Sequence, residues 1–187
     1  MNDLKIQFVK ANPSGNTTIL ALTPLPRDKY AQAASLLMND NVIGAEQVGY
    51  VEKTESGSRL EMMGGEFCAN ASRSYAAWLA MGGYEYLDGG GEIIKPLLEP
   101  QKRVQVEVSG ANCMLEAQIE DIGCEYGCFS EISMPAPEYI RHGSDKTLGE
   151  YSIVGFSGIV HGVLWEKAAD EDLTPYFLSF LQIDNFI

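Results

Sequence analysis

The chain has 187 residues, a net charge of −13 and four cysteines. That length holds one ordinary domain or two small lobes, and the excess of acid excludes nucleic acid and anionic membranes, which need cations facing them. No apolar run reaches bilayer length, and the start Met-Asn-Asp-Leu-Lys-Ile has neither region of a signal peptide, so the expectation is a cytoplasmic protein with reduced thiols and a small-molecule partner.

Leu4 to Val9 alternates and reads as a strand, Asn12 to Asn16 as a turn, and Thr17 to Leu22 as a second strand. Asn16 is either a turn former satisfying its own backbone or an amide shown to a ligand. After Pro26, Asp28 is placed as the N-cap of a helix carrying Tyr30, Ala33, Ala34 and Leu37 and ending near Asn39. Glu46 and Gln47 lead into the strand Val48 to Val51. They are either a solvated strand edge or a carboxylate and an amide offered to a pocket.

Arg59 to Met62 is a short strand delivering the chain to the segment Gly64 to Gly83. From Ala69 that segment is alanine-rich and free of proline, and it stops at Gly82-Gly83, which predicts a helix with a glycine C-cap. Ala71, Tyr75, Trp78 and Leu79 form one apolar stripe, so the helix is expected to run through a core. Cys68 stands at its start, where unpaired N–H groups and the positive end of the dipole favour a thiolate and also suit a carboxylate. The other reading of Cys68 is a small apolar plug. Gly64-Gly65 would let backbone approach a ligand, and Asn70 and Ser72 add donors to the first turn.

Tyr84 to Gln101, with Gly89-Gly90-Gly91 and two prolines, reads as a surface insertion and not a phosphate loop, because no Gly-Lys-Ser/Thr follows. Arg103 to Val108 and Asn112 to Ile119 make a hairpin across Ser109-Gly110, and Phe129 to Met134 is another strand. Cys124 and Cys128, with three residues between them, are not read as a metal site. Tyr139 to Gly149 is read as a polar loop between lobes, Tyr151 to Phe156 and Ile159 to Trp165 as strands, and Asp172 to Leu181 as a helix. His161 is read as a satisfied core histidine. The fold class is α+β, with a curled, mostly antiparallel sheet wrapped on the cysteine helix.

Phe8 to Asn16, Gly44 to Gln47 and Glu66 to Asn70 resemble, in that order, the N-terminal lobe of the diaminopimelate epimerase fold. The Asn-Pro-Ser-Gly-Asn, Glu-Gln-Val-Gly and Glu-Phe-Cys motifs, with Val106 to Gly110 after them, draw it nearest to the histidine racemases of staphylopine-type metallophore synthesis. The resemblance implies a racemase or epimerase without cofactor or metal, in which each of two lobes gives one cysteine, one thiolate taking the α-proton and one thiol returning it to the opposite face. Residues 1–130 would be the first lobe and 131–187 part of a second. Carried over, Cys68 is one acid/base, Ala69 and Asn70 bind the α-carboxylate, Asn16 and Gln47 line the pocket, and Glu46 reads a basic side chain.

The family's later Cys-Gly-Ser/Thr-Gly turn is absent, and so is the Glu-Arg pair before it. Cys113, Cys124 and Cys128 stand in no such context. The resemblance thus leaves this chain incomplete alone, needing a second copy in a homodimer or a missing C-terminal lobe; the epimerases' asparagine upstream of the cysteine has no match among Arg59 to Gly64, which disfavours diaminopimelate as substrate. The alternative is a truncated or degenerate homologue that at most binds an amino acid.

Overall fold

Two alanine-rich stretches interrupt the strands, and each forces a parallel pairing. In the computed structural model, residues 5–55, 57–90, 92–146 and 148–165 are described. By chain contacts they fall into two units, Met1–Pro135 and Ala136–Ile187. No helix among the described residues is long and apolar enough to cross a membrane.

The first unit is a seven-stranded sheet whose spatial order follows the chain: β1 (Phe8–Ala11), β2 (Thr18–Ala21), β3 (Gln47–Thr54), β4 (Gly57–Met62), β5 (Gln101–Val108), β6 (Leu115–Cys124) and β7 (Gly127–Ile132). Four neighbour pairs are antiparallel. The pairs β2–β3 and β4–β5 are parallel because a helix crosses over between each, α1 (Tyr30–Met38) and α2 (Ala69–Trp78). The class is therefore α+β with a mostly antiparallel sheet. Strand alternation sends Ile19, Ala21, Val48 and Tyr50 to α1, and Leu20, Leu22 and Val51 to α2. Both faces of β2 are covered, so all four of its residues are buried.

Helix α2 packs against β2, β3, β5, β6 and β7. In a flat sheet β2 and β7 would lie about 24 Å apart at ordinary strand spacing. One helix reaches both only because the sheet bends over it. The stripe expected to be buried is buried: Ala71, Tyr75, Trp78 and Leu79 are each no more than 2% exposed. The helix kinks at Gly82, whose φ of 107° lies in the left-handed region that glycine tolerates, and a one-turn helix, α3 (Tyr84–Leu87), follows.

Several expectations are corrected. Asp28 lies inside a 3₁₀ turn, Arg27–Lys29, and α1 begins behind Lys29 without any side-chain cap, because Pro26 sets up the tighter turn first. The stretch after α2 is not only a surface insertion. Trp78 Nε1 donates to the Ile93 carbonyl at 2.7 Å, and Ile93 and Leu97 pack on the core, since the buried indole needs an acceptor.

The second unit is an antiparallel meander of β8 (Tyr139–Asp145), β9 (Gly149–Phe156) and β10 (Ile159–Leu164). Tyr139 to Asp145 is thus a strand and not a loop: pairing with β9 decides its conformation, and its polar side chains lie on open faces. His161 is exposed, not in a core, because β10 is an edge strand, and its ring meets Phe156 edge-on at 5.7 Å. The helix expected over Asp172 to Leu181 lies outside the described residues.

Candidate active site

Parallel pairing of β2 and β3 sets their N-terminal ends side by side, with Thr18 opposite Gln47. Backbone N–H groups of Glu46 and Gln47 both donate to the Thr17 carbonyl, at 3.0 and 3.3 Å. Antiparallel β4 finishes at this same end, since Met62 pairs with Gly49. A tight turn at Gly65, φ 76°, then carries the chain into α2. Asn16, Glu46, Gln47 and Cys68, distant in sequence, therefore meet at one end of the sheet.

Their side chains form one continuous row. Asn16 Nδ2 donates to Glu46 Oε2 at 2.6 Å, and Gln47 Nε2 donates to Asn16 Oδ1 at 2.6 Å. Cys68 Sγ donates to Gln47 Oε1 at 3.0 Å. Asn16 thus spends its amide on its neighbours across the sheet and not on its own turn, where Asn12 Oδ1 accepts from Gly15 N–H instead. Glu46 is exposed; Asn16, Gln47 and Cys68 are half-buried. The sulfur has the Gln47 amide as a polar neighbour, and Cys68 also packs against the core.

Cys68 is the N-cap of α2, in extended conformation and with no side-chain cap. The helix's own bonding starts with Ser72 N–H to the Cys68 carbonyl at 2.9 Å. The N–H groups of Ala69, Asn70 and Ala71 therefore have no acceptor within the helix, and they sit beside the sulfur at the positive end of the dipole. Ser72 does not add a donor there: its hydroxyl is turned back onto the Cys68 carbonyl at 2.8 Å, and the residue is buried. Asn70 is half-buried, and its carbonyl accepts from Ser74 Oγ at 2.8 Å. Gly64 donates its N–H to Glu66 Oε2 at 2.9 Å, so this pair of glycines folds the loop around a side chain of its own chain.

A sequence profile described as "Histidine racemase CntK N-terminal domain" matches residues 5–184. The chain belongs to this family. Histidine racemase of Fusobacterium nucleatum subsp. nucleatum strain ATCC 23726 is 32% identical over 184 residues, which cover 93% of this chain and 63% of that protein. Histidine racemase of Staphylococcus aureus strain Mu50 is 35% identical over 139 residues, covering 72% of this chain and 44% of that protein. The chain thus spans under two thirds of the length of these curated relatives. The kinship read from the Asn-Pro-Ser-Gly-Asn, Glu-Gln-Val-Gly and Glu-Phe-Cys motifs is shown.

Two contributors escaped the sequence reading. Thr18 is fully buried, and its Oγ1 accepts from Gln47 Nε2 at 2.6 Å. The two hydroxyls of Thr17 and Thr18, opening an otherwise apolar strand, were the available signal. Ser109, read only as a turn residue, holds the loop before Cys68 (Discussion). The remaining thiols stand apart from the row: Cys113 and Cys124 are exposed, and burial pushes the Cys128 thiol up. Cys128 instead lines a groove of about 580 Å³ between β1, α2 and β7, with Val9, Arg73, Ala77 and Trp78, and Cys68 is not part of it.

Proposed function

We propose that this chain is a diaminopimelate epimerase-like lobe of a cofactor-independent amino-acid racemase, with histidine as the candidate substrate. Cys68 is one acid/base at the α-carbon. The N–H groups of Ala69 and Asn70 and the Asn70 amide hold the α-carboxylate, so negative charge developing at the α-carbon spreads onto a group already facing oriented donors. Asn16 and Gln47 line the pocket, and the exposed Glu46 carboxylate meets a cationic side chain. The observation that carries this reading is the union of an open helix N-terminus with a thiol bonded into a row of three other pocket residues.

The acid for the opposite face comes from a second copy or from the part of the relatives' length that this chain does not span. A second reading is favoured by the placement of Cys113, Cys124 and Cys128 outside the row: a lobe that binds an amino acid and turns nothing over. Both readings require binding at the same place. Titration of ¹⁵N-labelled chain with L- and D-histidine is expected to shift the amides of Asn16, Glu46, Gln47 and residues 68–71. Shifts confined to the β1–β7 groove, or none at millimolar histidine, would contradict both. Loss of the histidine-induced shifts in Glu46→Gln, with amino acids of uncharged side chain still bound, would support the assignment of Glu46.

A further inference from the structure

The sense of the row is dictated from one end. An ionised carboxylate has no hydrogen to give, so Asn16 must meet Glu46 with Nδ2. That leaves Asn16 Oδ1 facing Gln47, which must answer with Nε2. The same nitrogen gives its other hydrogen to Thr18 Oγ1, at 2.6 Å. What the Gln47 amide then offers Cys68 is Oε1, an acceptor, so the sulfur must present S–H. Every donor in the row points toward the carboxylate, an arrangement in which each bond polarises the next.

We propose that Glu46 controls Cys68 through these two amides: its charge fixes their sense and so keeps the hydrogen on the sulfur until a cation meets the carboxylate. A cationic substrate side chain at the exposed Glu46 occupies the carboxylate and frees both amides to turn over. The half-buried thiol then gives its proton to solvent, and Gln47 Nε2, now facing the sulfur, stabilises the thiolate that proton abstraction requires. Thr18 is the positioning residue: its hydroxyl gives its hydrogen to the Asn16 backbone carbonyl at 3.4 Å and so accepts from Gln47 Nε2, holding the Gln47 amide in the sense that the carboxylate dictates. This rests on Cys68 being the acid/base proposed above and adds what decides when it becomes a base.

Other charged groups on the surrounding elements are engaged elsewhere. Glu66, ahead of α2, accepts from Gly64 N–H; Arg73, on α2, donates to the Pro13 carbonyl; Lys10, on β1, donates to the Ile43 carbonyl. Glu61, ending β4, is paired with Arg27 and Arg59, and Glu107, on β5, with Arg59.

The test is the pH dependence of iodoacetamide alkylation at Cys68 in the full chain, followed on the tryptic peptide 60–73, which has no other cysteine. Glu46→Gln supplies a group able to present either end, so the row can reverse. The half-maximal pH is expected to fall by about one unit, the worth of one hydrogen bond. Gln47→Leu cuts the row, and in that background Glu46→Gln is expected to move the midpoint less than about half as far. Equal shifts in both backgrounds would mean that the charge acts through space and would overturn the proposal, as would no shift in the first. Gln47→Met replaces Gln47→Leu if the latter does not fold. Thr18→Ser is expected to keep the parent midpoint and Thr18→Val to lower it; a parent-like midpoint in Thr18→Val overturns the role of Thr18. Alkylation reads the thiol and not turnover, so a failure here is separable from a failure of the racemase reading.

Discussion

Ser109 and Glu66 lie 43 residues apart and are joined by a hydrogen bond, Ser109 Oγ donating to the Glu66 carbonyl at 2.8 Å. The same hydroxyl accepts from Met62 N–H at 2.9 Å, and Ser109 N–H donates to the Leu60 carbonyl at 2.8 Å. The turn between β5 and β6 thus clamps the loop that delivers Cys68. Ser109→Ala leaves a buried N–H and a carbonyl unpaired and is expected to cost about 1–3 kcal/mol in denaturant unfolding. Gly110→Ala is expected to cost more, because the new Cβ would lie 2.2 Å from the Phe67 nitrogen at a φ of 69°.

Thr18 offers a finer comparison. Thr18→Val keeps the buried shape but removes the acceptor for Gln47, and a loss of about 1–2 kcal/mol is expected. Thr18→Ser restores the oxygen and is expected to recover the hydrogen-bond part of that loss. Equal stability of the Val and parent proteins would show that the bond contributes nothing.

Acid stability follows from Glu52. Burial pushes its carboxyl up, but hydrogen bonds from Arg27 and Tyr30 and the charges of Arg27 and Arg59 outweigh that, so it ends below the ordinary glutamate value of 4.5. A depressed carboxyl contributes stability that is present above the unfolded value and lost as the pH falls through the folded one. Unfolding free energy is therefore expected to drop as the pH is lowered below 4.5. In Glu52→Gln that part of the slope is expected to be missing, about 1 kcal/mol for a pair whose arginine is largely exposed.

Trp78 ties down the stretch that follows α3. Trp78→Phe keeps a buried ring but loses the bond to the Ile93 carbonyl, so faster limited proteolysis between residues 88 and 99 is expected, with about 1 kcal/mol less stability. Cleavage at the parent rate would show that the segment is held without this bond, by its apolar contacts and by the Lys95 N–H on the Met81 carbonyl.

Local pattern made much of the fold legible. Val104, Val106 and Val108 alternate in sequence and are buried, and the three-and-four spacing from Ala71 to Leu79 marks the buried face of α2. What local pattern does not encode is pairing between distant strands, which makes Tyr139 to Asp145 a strand despite its polarity and exposes His161 on an edge. The site divides the same way. Asn16, Glu46, Gln47 and Cys68 were nameable from motifs in the right order, whereas their hydrogen bonds depend on the parallel register of Thr18 against Gln47. Thr18 passed for one more residue of an apolar strand.

The central claim is that the Cys68 sulfur exchanges the α-proton of a bound amino acid. The most direct measurement is ¹H NMR of L- and D-histidine in D₂O with the folded chain and with Cys68→Ala. The expected result is loss of the α-proton signal from at least one enantiomer with the parent, and none with Cys68→Ala. A folded parent that leaves both enantiomers protonated, or a Cys68→Ala variant that exchanges as fast as the parent, would contradict it.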